Sequence, residues 1–352
     1  MILDNIRENR QRFLSGQFNC IPFKLDRLSL YAPGIIRGNF DCITANVSVG
    51  KTTIAKFLYV FSAIEFAIEQ KLNLKIIYFA LEESETQFDY SLMAYLAQKE
   101  YGMRYNIVEF EAFNQAIPEK DMVKLENLQS KFDEYKSYIR LIDNVYNSYG
   151  LYKNVRDFAR ERGDFYMNET KLQTSTLVKN ESWNKYVPHD PEEFVIIISD
   201  HVSELHFDRE EKELKAAIAN WTKYQRHYIC KRFNYNCCAV HQQAAAQESL
   251  DHFKLNKIKP SLQGLADHKL AGRSYLNVYG LFAPDRYDID SHLGYDTNPY
   301  FRTVNVIKQR YGHVGAELAT FFDGKTGVMK TMPKTTDSAG MQTISNYITT
   351  LT

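Results

Sequence analysis

Short apolar runs alternate with longer amphipathic stretches from residue 38 onward. The runs FDCITA, LKIIYFAL, YIRLID, EFVIIISD and NCCAVH are apolar along most of their length, as expected of buried strands. Helical patterns separate them, at KTTIAKFLYVFSAIEFAIEQ, SETQFDYSLMAYLAQKE and residues 119–136, 151–162 and 210–232. Strands that are apolar on both faces and are separated by helices predict an α/β fold with a mostly parallel sheet covered on both faces.

Three segments lie outside this alternation, and one extends it. Residues 1–37 are punctuated by proline and glycine and predict an N-terminal arm. Residues 164–193 are polar without a clear period and predict an insertion, whereas the four strand patterns within 276–330 predict a β-rich continuation of the sheet. Because residues 333–352 are rich in Thr and Ser, we expect a flexible tail after a single domain that spans 38–332.

The composition fits a globular enzyme and excludes a strongly basic protein. Of 352 residues, 44% are hydrophobic and 24% are charged, which is ordinary for a folded domain. Lys and Arg together number 43, as do Asp and Glu, so any nucleic-acid contact must come from a local basic surface. The N-terminus is polar and no apolar run approaches transmembrane length, which predicts a cytoplasmic protein without a membrane partner.

The cysteines predict reduced thiols rather than a metal site. They are odd in number, five in all, and lie mostly within apolar runs. Cys237, Cys238 and His241 lie close together in the sequence, but they share one strand-like run and lack a second pair of ligands. We therefore interpret NCCAVH as a buried strand and not as a zinc site.

A phosphate-binding loop is the strongest chemical signal in the chain. ANVSVGKT, from Ala45 to Thr52, follows a predicted strand and opens a predicted helix, which is the context that such a loop requires. Its backbone N–H groups would surround a polyphosphate, Lys51 would contact the β- and γ-phosphates, and the Thr52 hydroxyl would bind Mg²⁺. The predicted nucleotide-binding residues are Ala45, Asn46, Val47, Ser48, Val49, Gly50, Lys51, Thr52 and Thr53.

Two predicted strands end in carboxylates that nucleotide hydrolysis needs. EFVIIISD ends in Asp200, where a second Mg²⁺ ligand is expected. LKIIYFAL is followed by Glu82 and Glu83. A carboxylate at that position would act as the general base toward the γ-phosphate, and we favour Glu82 over Glu83.

These motifs together resemble the RecA-like core of DnaB-type replicative helicases, especially the shorter phage-encoded forms. The resemblance covers roughly residues 38–330 and rests on the alanine that starts ANVSVGKT, on FALE at Phe79 to Glu82, and on SDHVSEL, AVHQQ and KQRYG. It implies a RecA-like P-loop ATPase that uses ATP and Mg²⁺, with Glu82 as the catalytic carboxylate. It also implies that Gln242 senses the γ-phosphate and couples hydrolysis to the DNA loops.

The same resemblance implies an oligomer. In KQRYG, Lys308 and Arg310 would reach the ATP site of a neighbouring copy, which implies a homo-oligomer, in the family a hexameric ring. The implied function is a DNA helicase that moves along single-stranded DNA in the bacterial host cytoplasm, with a primase or polymerase as a possible partner. We also expect the arm to pack on a neighbouring subunit.

Two features depart from the family. No N-terminal primase-interacting domain precedes the motor in these 352 residues. The acidic run that follows the DNA loops in the family is replaced by ADHKLAGRSYLNVYGLFAP, so DNA contacts are assigned from the loop that follows the Gln242 strand. The predicted DNA-binding residues are Lys254, Lys257, Lys259, Lys269 and Arg273.

Three other functions remain compatible with parts of the sequence. A RecA-type recombinase or clock-type ATPase shares the phosphate loop, although FALE and KQRYG favour a helicase. A nucleotide-dependent scaffold or loader would bind ATP without unwinding, and the mild basicity of the DNA segment and the missing N-terminal domain allow it. A packaging motor with a nuclease would need a second acidic cluster, but the acids within Asp285 to Asp296 lie in a Gly- and Ser-containing segment typical of a surface loop.

Overall fold

The computed structural model describes residues 2–172, 183–209, 211–255, 257–265 and 271–351. The strands are β1 (Cys20–Ile21), β2 (Ile35–Ile36), β3 (Phe40–Ala45), β4 (Leu74–Ala80), β5 (Ile139–Ile142), β6 (Gly163–Met167), β7 (Thr170–Lys171), β8 (Lys185–Pro188), β9 (Phe194–Asp200), β10 (Asn236–Gln242), β11 (Asn277–Phe282), β12 (Ser291–His292), β13 (Tyr295–Asp296), β14 (Phe301–Lys308), β15 (Glu317–Asp323) and β16 (Val328–Thr331).

The α-helices are α1 (Ile2–Leu14), α2 (Asp26–Ser29), α3 (Lys51–Lys56), α4 (Ser62–Gln70), α5 (Glu85–Tyr101), α6 (Ile107–Phe110), α7 (Glu119–Asn127), α8 (Gln129–Ser137), α9 (Ser148–Glu161), α10 (Leu214–Lys223), α11 (Leu250–Lys254), α12 (Ala271–Ser274) and α13 (Ser338–Thr349). π-helical segments at Phe57–Phe61 and Tyr224–Phe233 continue α3 and α10, and short 3₁₀ turns lie at Val202–Glu204, Ala245–Glu248 and Pro284–Tyr287.

A nine-stranded sheet forms the centre of the molecule, in the order β16-β15-β14-β11-β3-β10-β9-β4-β5. The six strands from β11 to β5 pair in parallel, and β14, β15 and β16 add antiparallel strands at one side. The predicted mostly parallel sheet with a β-rich C-terminal extension is therefore confirmed. Parallel strands have their carboxyl ends at one edge, which is where such sheets bind ligands.

Two hydrophobic layers cover the sheet. On one face, side chains from α3, α4, α5 and the π-helical segment Phe57–Phe61 pack on the sheet, with Tyr59 and Phe88 fully buried. On the other face, α9, α10 and the segment Tyr224–Phe233 provide the cover, with Tyr152 and Trp221 fully buried. Burial of β9 on both faces explains why EFVIIISD is apolar throughout rather than alternating.

The two ends of the chain differ in their packing. None of the α1 side chains is buried, and Ile2, Leu3 and Phe13 are exposed. Later in the arm, Phe23 and Leu28 are buried in the main core. The tail that we expected to be flexible instead contains α13, which packs on Phe301 and Phe321 at the end of the sheet.

The segment predicted as an insertion contains regular structure beside the main sheet. β7, β6 and β8 form a three-stranded antiparallel sheet. Its Phe165 packs edge-on against Phe233, and Trp183 stacks on the same ring with centroids 5.1 Å apart. These aromatic contacts attach the small sheet to the C-terminal end of the helix that connects β9 with β10; residues 173–182 of the segment lie outside the described residues.

Cys237 and Cys238 lie fully buried in β10, which agrees with the interpretation of NCCAVH as a core strand. In the part of the chain that the structure describes, no group of three or more His, Cys, Asp or Glu side chains could hold a metal ion. The described helices also include none with the length and apolar character needed to cross a membrane.

Candidate nucleotide-binding site

The predicted phosphate loop connects β3 to α3 at the carboxyl edge of the sheet. Gly50 caps α3 with a φ of 108°, a conformation that L side chains rarely adopt. A Cβ atom at Gly50 would lie 2.5 Å from Cζ of Phe322 in β15. Glycine is therefore required both by the backbone and by the aromatic ring that covers the loop, and the loop directs the N-terminus of α3 toward any bound phosphate.

Residues far along the chain hold the loop in shape. Asn46 donates from Nδ2 to the Ile258 carbonyl at 3.2 Å and to the Tyr287 hydroxyl at 2.5 Å. On the other side, the buried Arg302 guanidinium donates to the Val49 carbonyl at 3.4 Å. These contacts fix the loop from both flanks, and a loop held in shape by the protein lowers the entropic cost of nucleotide binding.

The side chains of Thr52 and Asp200, the two predicted Mg²⁺ ligands, lie in direct contact. The Thr52 hydroxyl donates to Oδ1 of Asp200 at 3.0 Å, and Tyr78 donates to Oδ2 of the same carboxylate at 2.6 Å. Asp200 itself is buried at the end of β9. One carboxylate and one hydroxyl at a buried loop edge are hard oxygen donors that suit Mg²⁺ bound together with nucleotide phosphates, so both predicted metal ligands fit this ion.

The pKa of Asp200 gives a testable pH dependence. Burial, and secondly the charge of Glu83, raise this pKa from 3.8 to about 6. Mg²⁺ needs the ionised carboxylate, so the extra melting temperature given by Mg²⁺-ATP over ATP with EDTA should be full near pH 7.5 and fade below pH about 6. In the Asp200→Asn variant, Mg²⁺ should add little to the melting temperature at any pH.

The protein's own stability should change in the opposite direction, because a raised carboxyl pKa favours the protonated folded state. The contribution of Asp200 to the free energy of unfolding declines as the pH rises from about 4 to about 6, and it is constant at higher pH. The Mg²⁺ effect is therefore measured as a difference at each pH. A difference that stayed constant between pH 5 and 8 would contradict the assignment of Asp200 as a metal ligand.

Glu82 lies at the rim of the site, next to the phosphate loop. Its Oε2 is 3.9 Å from Nζ of Lys51 and 3.2 Å from Nε2 of the buried His201. The Glu82 side chain is 55% exposed, whereas Lys51 is 11% exposed. An exposed carboxylate beside the lysine can reach a water molecule at the end of a bound triphosphate. His201, which the sequence analysis did not assign, follows Asp200 directly and contacts this carboxylate.

Glu83 is a second residue whose position sequence reasoning missed. It lies 2.7 Å from Nζ of Lys56, which is only 5% exposed and also donates to Ser91 at 3.0 Å. One carboxylate oxygen of Glu83 is thus paired with the buried Lys56, whereas Glu82 is exposed beside Lys51 of the phosphate loop. Neither the pair nor its burial could be anticipated, because Lys56 lies in a helical pattern where lysines are usually solvated.

The predicted metal ligands Thr52 and Asp200 and the acids Glu82 and Glu83 line one cavity. Its volume is about 470 Å³, within the range of roughly 300–1,000 Å³ for small-molecule sites. The cavity extends away from the loop between α5 and the β15–β16 turn. The residues that line it there include Tyr90, Asn106, Lys325 and Thr326.

Gln242 lies at the same edge of the sheet. It is the last residue of β10 and pairs in register with Ala45, the first residue of the phosphate loop. The structure thus brings together the predicted loop, Asp200, Glu82 and Gln242 on the adjacent strands β3, β10, β9 and β4.

Lys308 and Arg310 lie at the opposite edge. β14 runs antiparallel to β11, and Lys308 pairs with Val278, near the start of β11, whereas Leu281 near its end pairs with Ala45. The Lys308 ammonium donates to the Gly272 carbonyl at 2.9 Å. Arg310 is exposed, so both cations point away from the phosphate loop of their own chain.

The backbone of Arg310 is fixed from inside the sheet. Its N–H donates to Oδ1 of Asn277 at 3.1 Å, and Asn277 donates to Asp41 at 2.7 Å. Asp41 is fully buried and also accepts from Asn236 at 3.0 Å. The exposed guanidinium of Arg310, two residues beyond the end of β14, is therefore carried by a backbone that is hydrogen-bonded to the sheet.

The predicted DNA-binding residues do not form one patch. Lys254 and Lys257 are exposed beyond the end of β10, at the phosphate-loop edge. Lys259 is paired with Glu317 at 2.6 Å, and Arg273 lies at the opposite edge, where its carbonyl accepts from Lys308. Lys269 lies outside the described residues.

Comparison with known proteins shows the fold. No protein-family model matches the sequence, and no curated protein matches it significantly. Among solved structures, the ATPase domain of a helicase matches 95% of this chain and 99% of its own, with a TM-score of 0.66 and 17% identity. A DnaB-like replicative helicase, described with its primase interactions, matches 92% of this chain and 67% of its own, with a TM-score of 0.63 and 17% identity. The chain shares the fold of these two structures, a RecA-like α/β fold, as the sequence resemblance implied.

Proposed function

We propose that this chain is an ATP-dependent DNA helicase that works as a ring of six copies, moves along single-stranded DNA and separates the duplex. One observation carries the proposal. The loop, the metal ligands and the acid lie at one edge of the sheet, while the cations of KQRYG lie at the other. Such a chain can complete its nucleotide site only with a second copy.

The chain's own residues have separate roles at the nucleotide. The loop N–H groups and Lys51 bind the phosphates, and Thr52 and Asp200 would hold Mg²⁺, which would neutralise charge on the phosphate oxygens. Glu82 orients the attacking water and accepts its proton. Gln242, in register with Ala45, is placed to respond to the γ-phosphate.

The neighbouring copy supplies positive charge as the γ-phosphoryl bond breaks. Arg310 of that copy would stabilise the negative charge that develops on the transferred group, an effect of about 10³ to 10⁵ in rate for arginines of this kind. Lys308 would contribute a second charge beside it. Hydrolysis is then coupled to the contact between copies.

DNA contact is proposed for the segment that follows Gln242. Among its described residues, Lys254 and Lys257 are exposed cations. The segment is tied to the phosphate loop, because the carbonyl of the buried Ile258 accepts from Asn46. Exposed lysines on such a segment would hold DNA phosphates without distinguishing bases, as a motor that moves over any sequence needs.

The decisive test is ATP hydrolysis measured with and without single-stranded DNA, together with strand separation on a forked duplex. We expect DNA to stimulate the ATPase and the fork to be unwound in the presence of Mg²⁺-ATP, because the site and the DNA segment share Gln242. Lys51→Ala is the matched control and should do neither. Nucleotide binding without turnover would instead favour a scaffold or loader, and DNA-stimulated turnover without unwinding would favour a recombinase-type ATPase.

A further inference from the structure

A second basic surface lies on the helix that connects β9 with β10. α10 and the π-helical segment Tyr224–Phe233 together contain five Lys and Arg residues and one His, and no acidic residue. In the whole chain, acids and bases are equal in number. A surface helix usually interleaves both signs, because oppositely charged residues three or four positions apart stabilise it. This helix therefore departs from the rest of the surface.

Five of these six basic side chains project from one side of the helix, and the sixth, Arg232, donates to the Trp183 carbonyl at 2.6 Å. Lys215, Lys223, His227 and Lys231 are spaced in multiples of four residues, and all four are exposed. The opposite side is buried in the core through Trp221, Ile229, Cys230 and Phe233. With Arg226, which is half-buried, the four exposed residues form a strip along the helix, interrupted at Ala219, that we call the basic face.

The basic face is not neutralised within the chain. Across the described residues, none of its five members forms an ion pair or a side-chain hydrogen bond. Burial, followed by the charges of Lys231, Arg226 and Lys223, lowers the pKa of His227, which places these cations close enough to repel one another. Like charges at this spacing destabilise a helix, and a bound polyanion would remove that cost.

We propose that the basic face binds the phosphate backbone of nucleic acid, as a contact separate from the loop that follows Gln242. The strip extends along the helix toward the start of β10, away from the phosphate-loop edge where that loop lies. Three of its five members are exposed lysines, whose ammonium groups attract phosphate as point charges, so the contact would be independent of base sequence. This inference goes beyond the proposed function, since such binding needs no ATP turnover.

The test compares two double variants of the full chain by DNA affinity over a range of salt concentrations. Lys223→Gln with Lys231→Gln removes two charges from the basic face, and Lys71→Gln with Lys120→Gln removes two exposed charges elsewhere. Each phosphate contact contributes about 0.7 to 0.9 to the slope of log affinity against log salt. The basic-face variant should therefore lose about 1.5 from that slope, while the control keeps it.

A second measurement does not depend on the variants. Acetylation of lysines in the wild-type chain, mapped by mass spectrometry, should be reduced by DNA at Lys223 and Lys231 and unchanged at Lys71 and Lys120. An unchanged salt slope together with unprotected lysines would overturn the proposal. ATPase activity without DNA should be the same in both double variants. If the wild-type chain showed no ATP turnover at all, that result would count against the proposed function and not against this surface.

Discussion

Neither Lys51→Ala nor Arg310→Ala is expected to hydrolyse ATP alone, yet an equimolar mixture of the two should recover activity. Lys51 lies at the phosphate-loop edge and Arg310 at the opposite edge of the same sheet. If a site combines the loop of one copy with the arginine of the next, a mixed ring contains contacts in which both residues are intact. Random mixing in a ring makes about a quarter of the contacts intact, so recovery should approach that fraction of wild-type activity.

The control for this experiment is a second arginine at the same edge. Arg273 is exposed there but lies outside KQRYG, so Arg273→Ala should keep most of its ATPase before any mixing. Subunit exchange is verified independently with two fluorescent labels. If exchange is complete and the Lys51→Ala and Arg310→Ala mixture still hydrolyses nothing, the arginine does not act on a neighbouring copy.

Glu82→Gln should lower kcat by about 10² to 10⁴ while nucleotide binding is retained. The substitution keeps the size of the side chain beside Lys51 and removes its ability to accept a proton. Single-turnover hydrolysis and the affinity for a fluorescent ATP analogue, measured on the same preparation, separate the two effects. A parallel loss of binding and kcat would indicate a role in holding the loop instead.

Two neighbouring acids serve as controls for Glu82. Glu204 lies 3.6 Å from the same His201 and is 49% exposed, so Glu204→Gln tests the effect of an altered charge near the histidine. Glu83→Gln weakens the pair with Lys56 and should reduce stability more than it reduces kcat. If Glu83→Gln abolished turnover and Glu82→Gln did not, the roles of the two acids would be exchanged.

The buried strands could be predicted from sequence because their burial dictates their composition. EFVIIISD and FDCITA match β9 and β3 to within a residue. A strand that is covered on both faces is apolar throughout, so its ends are marked by the first polar residues. The positions of the phosphate loop and of two acids, Asp200 and Glu82, could be predicted from the ends of the strands. In a parallel sheet these ends meet at one edge, so local patterns were sufficient to place Asp200 and Glu82 near Lys51.

What could not be predicted depends on contacts between distant parts of the chain. The helix α13 contains Met341, Ile344, Tyr347 and Ile348 among Thr and Ser. These apolar side chains stabilise the helix only by packing on the strands beneath it. The pairing of Lys56 with Glu83 has no local signature either. Both require the finished tertiary structure, which single-sequence patterns do not contain.

The cover over Gly50 has a consequence for biosynthesis. Phe322 and Arg302, which shape the phosphate loop from outside, follow Gly50 by about 250 to 270 residues. At roughly 5–20 residues per second on the ribosome, the phosphate loop is synthesised many seconds before the Phe322 side chain that packs over it. In a nascent chain, the phosphate loop can therefore take its final shape only after Phe322 has been synthesised.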